Sequence, residues 1–101
     1  MNVNRKKLMY AILYELNNMN TNLDASMFEV NDRLFQEVIG MLVNEGFVTG
    51  YTEVTTSTSQ YRSFLATMPT IAYRGVIFLD ENSTLAKTYK GLKEIRSFLP
   101  F

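Results

Sequence analysis

The residues of this chain that are best suited to recognising a ligand are hydrogen-bonding side chains on a predicted helix. Arg33, Gln36 and Asn44 share one face of the segment 32–45 when that segment is helical. A guanidinium or carboxamide group can form paired hydrogen bonds with the edge of a purine base in the major groove. The chemistry that these residues predict is recognition of duplex DNA, without a bond being made or broken.

The basic residues that could contact phosphate lie outside this helix. Lys6 and Lys7 stand near the start of the chain, and Arg62 lies in a later strand-like segment. Affinity for DNA depends largely on neutralising phosphates. The segment 20–50 nevertheless carries a single basic residue, Arg33, against several carboxylates, which are Asp24, Glu29, Asp32, Glu37 and Glu45. An acidic helix of this kind favours a basic protein partner, so duplex DNA and a protein partner both remain open.

Catalytic and metal-binding groups are scarce in the composition. The 101 residues include neither cysteine nor histidine, which removes disulfides, thiolate zinc sites and the commonest general base. The adjacent carboxylates Asp80 and Glu81 do not face one another on a helix and have no acid–base context. We therefore predict that the protein is not an enzyme and uses no metal, no cofactor and no small-molecule substrate. No segment is apolar for long enough to span a bilayer, and the expected location is the cytoplasm.

Apolar periodicity predicts the helices that must position these side chains. A first helix is expected over residues 4–18, a short helical piece over 25–28 behind an Asp24 cap, and a long helix from Asp32 to about Glu45. Asn31 is a good N-cap for the long helix, and Gly46 lies where a left-handed residue would end it.

Two strand-like runs follow, over residues 47–54 and 61–68, with the sequence TTSTS (55–59) between them. Pro69 cannot donate to a ladder and is expected to end the second strand. Helices are expected again over 71–82 and 84–99. The pattern predicts a single α+β domain, a winged helix-turn-helix with a two-stranded wing hairpin (1–68) and a C-terminal helical extension (69–101).

A second surface is suggested by apolar residues near the two ends of the chain. Tyr10 and Tyr14 lie one turn apart on the first helix, and Leu85, Leu92 and Leu99 recur at sevens in the last one. If this seam is longer than the core can cover, it would bury against a second copy in a homodimer. The alternative is that the last helix packs on the first within one monomer.

The C-terminal third carries a pattern that resembles a known family. The sequence PTIAYRGVIFLDENSTLAKTYKGLKEI (69–95), together with Lys6-Lys7-Leu8, Tyr10–Leu13 and Glu45-Gly46-Phe47, is similar to the YjcQ family. The matching positions after Pro69 are Ile71-Ala72, Gly75, Phe78-Leu79, Glu81-Asn82, Lys87, Tyr89-Lys90 and Lys93-Glu94-Ile95. The resemblance implies a small winged-helix protein of Gram-positive bacteria or their phages, and it implies no established activity.

Ala72 departs from that pattern, and Gly75 within it predicts close packing of a helix. Where the family carries a threonine that would cap a helix, this chain has Ala72, a poor cap. Either Thr70 takes over that role or the helix begins differently. Gly75 lies inside the predicted helix at a cost of about 1 kcal/mol relative to alanine, so we expect it to pack closely against another helix.

Overall fold

Two amphipathic helices form the core of the protein. The computed structural model describes residues 5–54, 61–87 and 89. Helix α1 spans Arg5–Asn17, a short 3-10 turn covers Ser26–Phe28, and helix α2 spans Asp32–Asn44. Their apolar stripes bury each other, and the fully enclosed side chains are Ile12, Leu13, Val38, Ile39 and Leu42. The helix boundaries therefore agree with the apolar periodicity.

The local end signals of α2 are confirmed. The side chain of Asn31 accepts a hydrogen bond from the backbone N–H of Leu34 at 2.8 Å, which satisfies one of the unpaired donors at the helix start. After the helix, Gly46 adopts a left-handed conformation with φ of 72°. The Asp24 carboxylate likewise accepts from the backbone N–H of Met27 at 2.9 Å, at the start of the 3-10 turn.

Strands β1 (Val48–Val54) and β2 (Ser63–Ile71) form an antiparallel hairpin. The prediction that Pro69 ends the second strand is wrong, since β2 continues to Ile71. The ladder is irregular between Thr49 and Tyr51, where Gly50 faces the three residues 67–69. Pro69 has no register partner on β1 at this bulge, so its missing N–H removes no regular ladder pairing.

Helix α3 (Tyr73–Glu81) follows β2 directly, and residues 84–87 and 89 are helical beyond it. Ala72 is the N-cap and provides no side-chain hydrogen bond. Thr70 does not replace it, because its hydroxyl donates to the Met68 carbonyl instead. The order of helices and hairpin makes this an α+β fold that is compatible with a winged helix-turn-helix.

Gly75 allows α3 to approach the rest of the protein closely. A Cβ at this position would lie 2.4 Å from the carbonyl oxygen of Phe47 and 3.2 Å from Cδ2 of Leu13 in α1. The predicted packing against a helix is confirmed, and the tightest contact is with the backbone ahead of β1. The predicted hairpin tip (55–59) and the residues Leu92 and Leu99 lie outside the described residues.

Candidate ligand-binding groove

A groove of about 290 Å³ runs between the outer side of α2 and the start of β2. Its walls are formed by one stripe of α2 and by three residues of the hairpin. These residues are Arg33, Gln36, Glu37, Gly40, Met41, Asn44, Tyr61, Arg62 and Phe64. The structure thus brings together Arg33, Gln36, Asn44 and Arg62, which the sequence suggested separately as nucleic-acid contacts.

The middle of the α2 stripe is covered by the aromatic ring of Phe64. Gly40 is buried, and a Cβ added to it would lie only 3.1 Å from Cε2 of Phe64. The backbone N–H of Phe64 donates to Oε1 of Gln36 at 2.8 Å. The face of α2 that carries Gln36 is therefore only partly exposed, because β2 packs on Gln36 and Gly40. The amide N–H groups of Gln36 remain available to a ligand, whereas its oxygen already accepts the hydrogen bond from the hairpin.

Carboxylates on and beside the groove have partners within the chain. Nε of Arg5 donates to Oε2 of Glu37 at 2.5 Å. Arg62 donates two hydrogen bonds to the carboxylate of Glu53, from Nε at 2.9 Å and from Nη2 at 2.8 Å. They lower the pKa of Glu53 and raise that of Arg62. This geometry is the stronger, bidentate form of an arginine–carboxylate pair. The acidity of α2 in the sequence is thus partly offset by Arg5 from α1.

The hairpin side of the groove is held by two aromatic contacts. The hydroxyl of Tyr61 donates to Oδ2 of Asp32 at 2.8 Å, and this hydrogen bond raises the pKa of Tyr61. The guanidinium of Arg62 lies 5.2 Å from the centre of the Phe64 ring, within cation–π range. Arg33 has no ion-pair partner among the described residues. It is therefore the cation of α2 best able to meet a negatively charged ligand.

The ion pair between Arg5 and Glu37 places the first turn of α1 beside the groove. Lys6 and Lys7 follow directly in that turn, and both are exposed. All six predicted nucleic-acid contacts therefore lie in the groove or on the helix end next to it. No sequence pattern within α2 indicated this arrangement, since it depends on a contact across more than thirty residues.

Of the residues predicted for a dimer interface, the three that the structure describes are buried or half-buried in the monomer. Tyr10 is only 4% exposed, so it has no surface for a second copy, and its assignment to a dimer interface is wrong. Tyr14 is half-buried, and its ring packs edge-on against Tyr89 with 5.5 Å between ring centres. Leu85 is also half-buried. Where the structure describes it, the C-terminal helical segment packs on α1, as in the single-monomer alternative.

Sequence reasoning missed one buried carboxylate, that of Glu15. Its side chain is 2% exposed, and it accepts hydrogen bonds from the hydroxyl of Tyr89 and from Nδ2 of Asn20, the latter at 3.1 Å. A signal was present, because Glu15 lies three residues after Ile12 and seven after Leu8, on the core stripe of α1. A charged residue at such a position requires hydrogen-bond partners, and one of the two, Tyr89, lies 74 residues away, beyond the reach of any local pattern.

Two further properties of the described residues bear on function. No group of three or more acidic side chains in residues 5–54, 61–87 and 89 is arranged to hold a metal ion. In the same part of the chain, none of the helices has the length and apolar character needed to cross a membrane.

Comparison with known proteins gives consistent results. The model of the YjcQ protein family matches residues 5–98. The Bacillus subtilis (strain 168) protein YjcQ, described as uncharacterized, is 33% identical over 98 residues, which cover 96% of this chain and 99% of that protein. The solution NMR structure of YjcQ from Bacillus subtilis has a TM-score of 0.59 at 29% identity, with 76% of this chain and 94% of that chain covered.

Proposed function

The chain belongs to the YjcQ family, and we propose that it is a non-enzymatic binding protein of the winged helix-turn-helix type whose partner is another protein. The partner binds in the groove between α2 and the hairpin. The observation that carries this proposal is the position of Phe64 on Gly40, with the Phe64 N–H bonded to Gln36.

That contact argues against the usual use of such a helix on DNA. A recognition helix inserts a projecting face into the major groove, and its side chains reach base edges. In α2, the middle of that face is recessed under an aromatic ring, and the oxygen of Gln36 is already occupied. Reading of bases through Gln36 would require the hairpin to move away from α2.

The lining of the groove fits a segment of protein. Met41 and Phe64 provide apolar surface, while Arg33, Asn44 and Arg62 provide polar groups around it. Apolar contact surrounded by polar residues, with aromatic side chains, methionine and arginine enriched, is typical of protein–protein interfaces. Two of the nearby arginines, Arg5 and Arg62, already pair with carboxylates and would have to exchange those partners for phosphates.

Duplex DNA is the second candidate, which would make the protein a regulator of phage or prophage type. It is favoured by the location of the first turn of α1, whose exposed Lys6 and Lys7 lie beside the groove that contains Arg33. In that function Lys6, Lys7, Arg33 and Arg62 would contact phosphates and Asn44 a base edge.

A photo-crosslinking residue at Asn44 separates the two candidates in cells that naturally make the protein. The matched control carries the same residue at Thr52, an exposed position on β1. We expect a nuclease-resistant adduct with a second protein from position 44 and none from position 52. A nuclease-sensitive adduct from position 44 would support DNA instead, and equal labelling from both positions would contradict the groove as the binding surface.

Salt dependence provides an independent test of the DNA candidate. True phosphate contacts give a steep fall of affinity with salt, and removing two of them in a Lys6→Gln, Lys7→Gln variant should lower the slope by about 2. The measurement is fluorescence anisotropy with a labelled duplex of mixed sequence at low and raised salt. For a protein partner we expect no duplex binding even at low salt, and tight binding with a steep slope would reverse the order of the two candidates.

A further inference from the structure

Helix α3 carries an exposed apolar face that the groove does not use. Tyr73 is 78% exposed, Val76 41% and Ile77 36%, all within a helix of nine residues. Tyr73 and Ile77 line a second cavity of about 430 Å³, whose walls also include Phe47 and Phe78. Contiguous apolar surface of this kind on a soluble protein indicates an interaction site.

Opposite charges lie at the two ends of the side of α3 that lines this cavity. Arg74 and Glu81 both line the second cavity and are both exposed. They are seven residues apart, so they lie on the same side of the helix and about 10 Å from each other along its axis. Neither forms an ion pair with another described residue.

The side of α3 with Arg74 at one end and Glu81 at the other is complementary to a second copy of itself. When two copies of α3 pack antiparallel around a twofold axis near Ile77, Arg74 of each copy comes opposite Glu81 of the other. Ile77 and Phe78, which lie between the two charges on the same side of the helix, then face their counterparts, as an isologous interface requires. We propose that the α3 face binds a second copy of this chain in a twofold-symmetric dimer.

The distribution of charge is what selects a second copy as the occupant. A partner without an acid and a base at this spacing, in the reverse direction, would leave one of the two charges facing an apolar or like-charged surface. A single pair of nine-residue helices buries less than a standard interface, so the dimer is expected to be weak and to depend on concentration. The proposal uses no residue of the α2–hairpin groove and does not rest on the function assigned to that groove.

Charge reversal of exposed residues tests the dimer without disturbing the core. Sedimentation equilibrium over a range of concentrations should show a monomer–dimer equilibrium for the unmodified chain. Either Arg74→Glu or Glu81→Arg alone should raise the dissociation constant about tenfold, because two ion pairs become two like-charge contacts. Thr52→Glu, which adds a charge at an exposed position of β1, serves as the control and should leave the equilibrium unchanged.

Mixing the two variants gives the decisive measurement. An equimolar mixture of Arg74→Glu and Glu81→Arg chains should associate more tightly than either variant alone, since both contacts across the interface are then attractive again. The double variant, with both residues reversed in one chain, should also recover the dimer. A chain that stays monomeric at all concentrations would overturn the proposal, as would a dimer that is insensitive to these changes.

Discussion

At the scale of single residues, two glycines determine how the chain enters and bends its hairpin, and their physical reasons differ. Gly46 has φ of 72°, but a Cβ there would come no closer than 3.9 Å to a neighbouring atom, Cδ of Arg74. Gly50 has φ of 83°, and its Cβ would lie 1.8 Å from the carbonyl oxygen of Met68. The first glycine serves only the backbone conformation, whereas the second also allows two backbones to approach each other at the bulge.

Alanine substitutions at these two positions should therefore have unequal effects on stability. Gly46→Ala should lower the free energy of unfolding by about 1 kcal/mol, the ordinary cost of a left-handed L-residue. Gly50→Ala should cost about 3 kcal/mol, because the methyl group meets a backbone carbonyl that cannot move without disturbing β2. Urea denaturation followed by circular dichroism measures both, and losses of equal size would contradict the close approach at Gly50.

Residue-scale predictions from sequence succeed where the cause is local. Asn31, Asp24 and Gly46 act on groups within a few residues of themselves, and all three have the roles that their types indicate. Glu15 differs, because the partner that makes its burial tolerable comes from the other end of the chain. Tyr10 likewise looked exposed on one helix and is buried by the rest of the fold.

At the scale of elements, α3 begins without the cap that helices usually have. Ala72 has the extended backbone of an N-cap, with φ of −88° and ψ of 167°, but no side-chain oxygen to accept from the first turn. The helix is held instead by close packing at Gly75 and by the Ala72 N–H, which donates to the Phe47 carbonyl at 2.8 Å. Tertiary contacts thus replace a local signal at this helix start.

Restoring the cap should stabilise the protein. Ala72→Thr places a hydroxyl where it can accept from the first turn of α3, and we expect the free energy of unfolding to rise by about 1 kcal/mol. Ala72→Val is the matched control, since valine has nearly the shape of threonine without the hydroxyl. The free energy of unfolding of the valine variant should be about 1 kcal/mol lower than that of the threonine variant, which is the value of the cap. Urea midpoints provide the comparison, and equal midpoints for the two variants would exclude a capping effect.

Element boundaries illustrate why part of the fold could not be predicted from sequence. The ends of α1 and α2 follow from apolar spacing and capping residues, which act within each helix. The end of β2 depends on its pairing with β1, where the bulge opposite Gly50 leaves Pro69 without a register partner. The rule that proline ends a strand fails here because ladder irregularity, a property of two strands together, overrides it.

At the scale of the whole molecule, the candidate groove is a product of contacts between distant segments. Sequence reasoning selected Arg33, Asn44 and Arg62 as residues with binding chemistry, and the structure places all three around one groove. It did not anticipate the ring of Phe64 on Gly40 or the pairing of Arg5 with Glu37. The first of these contacts favours a protein partner over DNA, the second brings the basic start of α1 beside the groove, and neither leaves a local pattern in the sequence.

A hydrogen bond between Tyr89 and Glu15 joins the C-terminal segment to α1. The hydroxyl of Tyr89 donates to the buried carboxylate of Glu15, and its ring packs against Tyr14 and Phe28. A buried carboxylate that loses a hydrogen-bond donor retains the cost of its desolvation. Tyr89→Phe keeps the ring contacts and removes only the hydroxyl, so it isolates this one interaction.

We expect Tyr89→Phe to lower the free energy of unfolding at neutral pH by about 1–3 kcal/mol, as measured in urea. Tyr73→Phe, which removes the hydroxyl of an exposed ring, should change it by less than about 0.5 kcal/mol. In a Glu15→Met background the carboxylate is absent, and Tyr89→Phe should then have little effect, which gives a coupling energy between the two positions. Additive losses in that double-mutant cycle would show that the Tyr89 hydroxyl stabilises the fold without Glu15, and no loss for Tyr89→Phe would show that only the ring contributes. Either result would contradict the inference that the hydrogen bond to Glu15 holds the C-terminal segment on α1.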